Sequence, residues 1–369
     1  MVGEPLAGAS ALVTELVAGR AESWDRDGLL PGEVLRKLGA GGVLCAQVDP
    51  TFGGLGVSSL DNGELTAHAG SLCGSVRSVM TSQGMAAWAV CRLGSGQQQA
   101  SYLPRLTGGE LAAVALSEPH AGSDLSAMRT QIRLEGDSVI LDGYKVWVTA
   151  AHYADLIVVV GRYRDGAAAV VVPATTPGVE VERIADPLGC RAAGHADVRL
   201  DSVRVPADSV LGGVGQSLSL LVTSALAYGR ISVAWGCVGI LRACLTAAAR
   251  HARSREQFGK PLVDHQLVAR HLAELFASEQ VGTRVCEHAS RCWDSGDAGM
   301  VMATVLAKHV SASNAARGAA SAVQVLASAG AHDGHVVARA YRDAKLMEII
   351  EGSSELCQLM LARHAVAGS

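Results

Sequence analysis

Ala115-Leu116-Ser117-Glu118-Pro119-His120-Ala121-Gly122-Ser123-Asp124, read together with Lys145-Val146-Trp147-Val148-Thr149, is the passage on which the fold turns. The first stretch leaves a short apolar run, Leu111 to Leu116, and enters a turn of Pro, Gly, Ser and Asp, the composition of a strand end. The second continues a pattern in which Ser138-Val139-Ile140-Leu141 and Tyr144-Lys145-Val146-Trp147-Val148-Thr149 flank Asp142-Gly143, which predicts a β-hairpin turning at that dipeptide. On such a strand Trp147 and Thr149 are two apart and project from one face, setting a flat ring beside a hydroxyl.

Outward from there, Leu156 to Val160 and Ala168 to Val172 are short β-branched runs, and Val198, Leu200, Val203 and Val205 predict one more sheet region broken at Asp201-Ser202. Residues 113–210 therefore read as a compact middle β domain. Residues 1–112 read as an N-terminal helical domain: Ser10 to Ala21 has helical spacing, Pro31 opens a second helix, and Pro50 to Gly56 is a breaker-rich loop. After Leu211-Gly212-Gly213 the helical period returns, and residues 211–369 read as a C-terminal bundle of four long segments, about 215–252, 262–293, 297–328 and 335–364. The class is mainly α with a central β domain.

Bulk composition narrows the function classes. The chain has 369 residues, enough for two or three domains. A net charge of -4 without a dense Lys/Arg run argues against nucleic acid or a membrane surface as partner, and an aromatic content of 4% argues against a base-stacking platform. The N-terminus lacks the basic start and apolar core of a signal peptide, and no apolar run seems to approach the ~18–20 residues of a membrane span. The nine cysteines are scattered with no CxxC pair, which fits reduced thiols in a cytoplasmic protein. The twelve histidines form no HExxH or Cys/His ligand spacing, so no metal is expected.

Two further blocks, Arg255-Glu256-Gln257-Phe258-Gly259-Lys260-Pro261 and Ile350-Glu351-Gly352-Ser353, follow the opening stretches in order. In these four blocks the chain resembles the acyl-CoA dehydrogenase family over roughly residues 20–366. The resemblance implies an N-terminal helical domain, a middle β-barrel, a C-terminal four-helix bundle, and FAD as cofactor. No dinucleotide-binding GxGxxG follows a strand, so FAD would be held by other means. By resemblance, Thr149 sits near flavin N5, Trp147 packs on the ring, Ser117 and the Leu116 backbone meet the pyrimidine edge, and Ser123 faces the pyrophosphate. Arg255, Phe258 and Gln266 resemble residues that a neighbouring subunit extends onto FAD, which implies a homodimer or tetramer. Gln324, Ser328 and Ser353 complete the implied cofactor contacts, although Ala327-Ser328 stands where the family often has Gly-Gly, which would weaken the grip on FAD.

The family reaction needs a carboxylate base in an apolar pocket, and Glu351 matches its position, after Met347, Ile349 and Ile350 and before Gly352. Taken alone, Glu351 reads equally as a helix-end partner of Arg342 or Lys345. Some members carry the base on an earlier helix, at the position that is Gly229 here, so Glu351 has no rival and Arg230 is expected to order the pocket. Thr81-Ser82-Gln83 put polar groups where members hold the acyl tail, making Ser82 and Gln83 candidate substrate contacts, or else a helix cap. The chain resembles most the acyl-CoA dehydrogenase-like proteins of polyketide clusters that help make hydroxymalonyl- and methoxymalonyl-carrier-protein extender units. That implies an acyl group on an acyl carrier protein (or on CoA), oxidised from a 2-hydroxy-3-oxopropionyl thioester, with electron-transfer flavoprotein as the family's usual acceptor. A conventional short-chain acyl-CoA dehydrogenase, a flavin monooxygenase and a non-catalytic helical scaffold are the alternatives.

Overall fold

The computed structural model of the chain describes residues 4–367. Helices α1 (Glu4–Val17), α2 (Ala21–Asp27), α3 (Gly32–Ala40), α4 (Ser59–Leu72), α5 (Gly74–Leu93) and α6 (Gly96–Thr107) come first. A sheet follows: β1 (Ala112–Ala115), β2 (Gln131–Glu135), β3 (Ser138–Val148), β4 (Leu156–Tyr163), β5 (Gly166–Pro173), β6 (Val179–Arg183), β7 (Ala196–Pro206) and β8 (Val210–Gln216). Helices α7 (Leu218–Ser254), α8 (Gln266–Asp294), α9 (Met300–Leu326), α10 (Val336–Ile349) and α11 (Ser354–Ala367) close the chain. The helix–sheet–helix order is the one the sequence predicts.

Local signals explain most boundaries. Ser58 caps α4 by accepting the Asp61 N–H, and Ser95 with Gln98 forms a reciprocal capping box at α6. The helix expected over Ser10–Ala21 is two, parted near Gly19, whose φ of 74° ends α1. The segment expected as one helix over 335–364 is also two, α10 and α11, parted at Ile350–Ser353.

The sheet departs from the predicted hairpin. Strands run in the order β6-β7-β3-β2-β4-β5-β8, with β1 parallel to β4, and the path curls around an aliphatic interior without β6 and β8 pairing to each other. β3 passes straight through Asp142-Gly143, and the β2–β3 turn lies instead at Gly136. The reason is across the strand: β7 carries an extra residue at Asp201-Ser202, where Ser202 has φ 49°, and Asp142 accepts the Ser202 N–H at 2.7 Å. Two breaker pairs thus meet as one β-bulge, which bends the ladder without ending it. A second shift, between Lys145↔Val198 and Val148↔Ala196, places the extra residue on β3 and gives Trp147 a φ of 56°. β4 and β5 are buried on both faces and so show no alternation.

α7 corrects the expectation about long apolar runs. It is 37 residues long, with a stretch of mean hydropathy 1.6, and is long and apolar enough to cross a membrane. That stretch is 72% buried within the protein, against α4, α5, α8 and α9, so its apolarity serves the core. α4 crosses it so closely that any side chain at Gly239 would strike the Ala67 carbonyl.

The two opening stretches are joined by a buried ion pair. Lys145 Nζ lies 2.9 Å from Glu118 Oε1 and donates to the Leu116 carbonyl at 3.0 Å, and neither side chain reaches solvent. Glu118 also accepts the N–H groups of Arg129 and Thr130 and the Thr130 hydroxyl. Burial acts to raise the Glu118 pKa, but the bonds from Lys145 and Thr130 outweigh it and bring it down to about 2. Lys145→Met is expected to lower stability by about 3–5 kcal/mol, because Glu118 is left buried and uncompensated; adding Glu118→Gln should recover part of that loss in urea unfolding. Since the folded pKa is depressed, Glu118's own contribution is present above its ordinary pKa of ~4.3 and lost as pH falls toward 2.

Candidate active site

The bulge at the end of β3 builds one wall. Trp147 is 52% exposed in an uncommon left-handed backbone conformation, and its N–H is held by Asp197 at 3.1 Å. Thr149 is anchored from α5, where Ser82 donates its hydroxyl to the Thr149 carbonyl at 2.9 Å. Both side chains converge on His195, a residue to which no motif drew attention. Its ring is centred 5.8 Å from the Trp147 ring, and its Nδ1 is 3.2 Å from the Thr149 hydroxyl. The same-face expectation for Trp147 and Thr149 is thus met through a bulge and a third residue, rather than by plain alternation. His195 is buried, its Nε2 has no partner, and burial, aided by the Arg77 charge, pushes its pKa down to about 4. The ring is neutral at neutral pH, so one nitrogen carries a proton and the other is free to accept.

Ser117 lies beside this wall. Its carbonyl accepts the Val146 N–H at 3.0 Å, and its half-buried hydroxyl has no partner within the described residues. Ser123 is exposed on the turn that follows the Glu118–Ala121 bridge. Gln83 is not available to a ligand. Its amide donates to the Leu106 and Glu110 carbonyls and accepts the Ala112 N–H at 2.6 Å, tying α5 to β1. Thr81, Ser82 and Gln83 lie in the middle of α5, so the helix-cap alternative does not hold.

Glu351 forms the opposite wall. Ile350–Ser353 interrupts the helices with Glu351 at φ 55° and Gly352 at φ 95°. The loop is held by its carbonyls: Arg230 Nε donates to Glu351 O at 3.1 Å, and buried Lys308 donates to Gly352 O at 2.6 Å. Ser353 stays within the loop, its hydroxyl accepting the Leu356 N–H at the start of α11. Lys345 pairs with Glu348 and Arg342 with Asp25 and Asp333, so neither is a partner of Glu351. The Glu351 carboxyl lies against Gly229, where a methyl group would collide with it, and its Oε2 is buried without a partner. A side chain at 229 and a carboxylate at 351 therefore exclude each other. Burial pushes the Glu351 carboxyl up to about 7 against the opposing pull of Arg230, Lys308 and Arg77. Such a group exchanges a proton readily near neutrality.

The remaining residues singled out by sequence stand apart. Arg255, Phe258 and Gln266 are exposed around the α7–α8 turn, Phe258 at 96% and with φ 52°. Gln324 and Ser328 are exposed at the end of α9, where Ala327 has φ 51°. Among the described residues no hydrogen bond or ring contact joins either set to Trp147, Thr149 or Glu351. Lys308 and Arg77 were invisible to motif reading, each a lone cation within an otherwise apolar helix.

A flat, polar-edged ring fits between these walls. Trp147 offers an exposed aromatic face, Thr149 and Ser117 offer hydroxyls, and the unpartnered His195 Nε2 lies buried behind them.

Comparison with known proteins agrees with that geometry. The N-terminal, middle and C-terminal domain profiles of acyl-CoA dehydrogenases match residues 6–110, 113–203 and 220–366. A Bacillus subtilis relative, probable acyl-CoA dehydrogenase YngJ, is 31% identical over 94% of this chain and 93% of its own. The human mitochondrial short-chain specific acyl-CoA dehydrogenase is 30% identical over 92% of this chain and 84% of its own. A solved structure, FkbI for biosynthesis of the methoxymalonyl extender unit of the Fk520 polyketide immunosuppressant, is 65% identical, covers 97% of this chain and 99% of its own, and superposes with a TM-score of 0.93.

The raised Glu351 pKa has a stability consequence. The folded state holds this proton more tightly than the unfolded one, so the contribution is full below ~4.3 and lost as pH rises through about 7. Glu351→Gln should therefore gain on the wild type by on the order of 2 kcal/mol between pH 5 and pH 8, read from urea unfolding at both.

Proposed function

The chain belongs to the acyl-CoA dehydrogenase family of flavin-dependent oxidoreductases, and on that premise we propose that it is the FAD-dependent dehydrogenase of a short, polar acyl thioester tethered to an acyl carrier protein. The observation that carries the proposal is the 65% identity, across nearly the whole chain, to the extender-unit relative. The substrate is a 2-hydroxy-3-oxopropionyl thioester, reacting as the hydrate of its aldehyde. When bound, FAD supplies a two-electron acceptor for the hydride from carbon 3. Glu351 takes the hydrate O–H proton as that hydride leaves, and the product is the malonyl-type carboxylic acid. The buried Glu351 carboxyl suits this role because it is near its pKa at neutral pH and has no protein partner to displace.

Arg230 and Lys308 keep the base in place through the loop carbonyls, so they position it without neutralising it by a direct ion pair. Trp147, Thr149, Leu116, Ser117 and Ser123 would hold the cofactor from this chain. A second copy would bring Arg255, Phe258 and Gln266 to it, and Gln324 and Ser328 would meet its phosphate side. The exposure of Phe258, Leu267 and Phe276 around α8 supports a covered interface.

Anaerobic mixing with acyl thioesters tests the reading by flavin absorbance. Bleaching is expected with the carrier-bound hydroxyacyl aldehyde and not with butyryl-CoA; the opposite result makes this an ordinary short-chain acyl-CoA dehydrogenase. Glu351→Gln should slow bleaching by about 10²–10⁴-fold with the flavin retained, and the wild-type rate should climb with pH to a plateau, with its midpoint at about 7. Ala327 adopts a left-handed conformation that glycine takes freely, so Ala327→Gly should tighten FAD; an already submicromolar dissociation constant that the substitution leaves unchanged would contradict this.

A further inference from the structure

Arg77 is a buried charge that the proposed chemistry does not use. It lies on α5, 1% exposed, and among the described residues it forms no ion pair. Nη1 donates to the Thr81 hydroxyl at 3.3 Å, while Nη2 meets only sulfur, Met347 Sδ at 3.0 Å and Cys190 Sγ at 3.9 Å. Sulfur is a weak acceptor, so a guanidinium kept from water in this setting is poorly compensated. Other buried cations are treated differently: Lys145 has Glu118, Arg242 has Glu64 and Glu279, and Lys308 holds two carbonyls.

The surroundings of Arg77 belong to the candidate site. The Thr81 hydroxyl is 2.7 Å from the Ser232 hydroxyl on α7, one helical turn from Gly229, against which the Glu351 carboxyl rests. Ser82, the next residue on α5, holds the Thr149 carbonyl. The Arg77 charge acts on both Glu351 and His195, and each has a buried polar atom with no partner, Oε2 and Nε2. Cation, hydroxyl pair and unpartnered acceptors thus gather where the acyl group would end.

We infer that Arg77, with the Thr81–Ser232 hydroxyl pair, seats the end of the acyl group farthest from the thioester, and that this end carries two oxygens on one carbon, as a carboxylate or an aldehyde hydrate. The inference rests on reading this site as an acyl-thioester site. A guanidinium fork matches two oxygens on one carbon, and its charge gains a partner only when they are present. A hydrocarbon tail of the same size would leave Arg77 desolvated and unpaired, so the pocket selects by rejecting such tails.

Calorimetric binding to the flavin-loaded protein tests this with malonyl-pantetheine, 3-oxopropionyl-pantetheine and isovaleryl-pantetheine, the last bearing two methyl groups in place of the malonyl oxygens. Malonyl- or 3-oxopropionyl-pantetheine should bind about 10- to 100-fold more tightly than isovaleryl-pantetheine. Arg77→Met should abolish that preference and leave isovaleryl binding unchanged or improved, and Arg77→Lys should keep part of it. Equal binding of all three by the wild type, or an equal loss of all three in Arg77→Met, overturns the inference; if Arg77→Met does not fold, the wild-type comparison decides. Selective binding in a protein that no carrier-bound aldehyde bleaches keeps the Arg77 seat and discards the carrier-bound reading, whereas bleaching without selective binding does the reverse.

Discussion

The Lys145–Glu118 pair is the constraint on which the site depends. Two charges kept from water are tolerated only where other polar groups complete their coordination, and here Leu116 O, Arg129 N and both donors of Thr130 do so. That requirement fixes the end of β1 against β3 at one register. Ser117 O then meets Val146 N, and the residue after Val146 is the bulged Trp147. The exposed ring of the site is thus set by a buried ion pair two residues away.

On the facing wall the base is set by backbone rather than by side-chain pairing. Arg230 and Lys308 grip carbonyl oxygens, which orients the loop and leaves the Glu351 carboxyl unpartnered against Gly229. Three cations pull its pKa down, yet burial prevails and leaves it near neutrality. A direct ion pair would have held the carboxyl well below the working range and weakened it as a base.

Strain follows the same map. Trp147, Phe258, Ala327 and Glu351 are among nine non-glycine residues with positive φ in the described chain, and all four lie in the segments that the motifs single out. Such conformations cost free energy for bulky residues and persist only where the surroundings over-determine them. At Trp147 the surroundings are the β3 bulge and Asp197, and at Glu351 they are the two cation-held carbonyls.

Sequence alone determined the helix–sheet–helix order, the family resemblance and the choice of Glu351 over position 229, because these rest on local periodicity, breakers and residue types along one strand or helix. It misplaced the hairpin at Asp142-Gly143, since a breaker dipeptide does not reveal that another, Asp201-Ser202, lies across the ladder to absorb it as a bulge. It offered Gln83 to the substrate, since only packing shows an amide already saturated by three backbone groups. His195, Lys308 and Arg77 were unreadable for the same reason. Each is a lone polar residue whose role depends on neighbours far away in the chain: Thr149 for His195, Gly352 for Lys308, and Cys190 and Met347 for Arg77. Tertiary structure decided these, because burial and missing partners are properties of the packed chain.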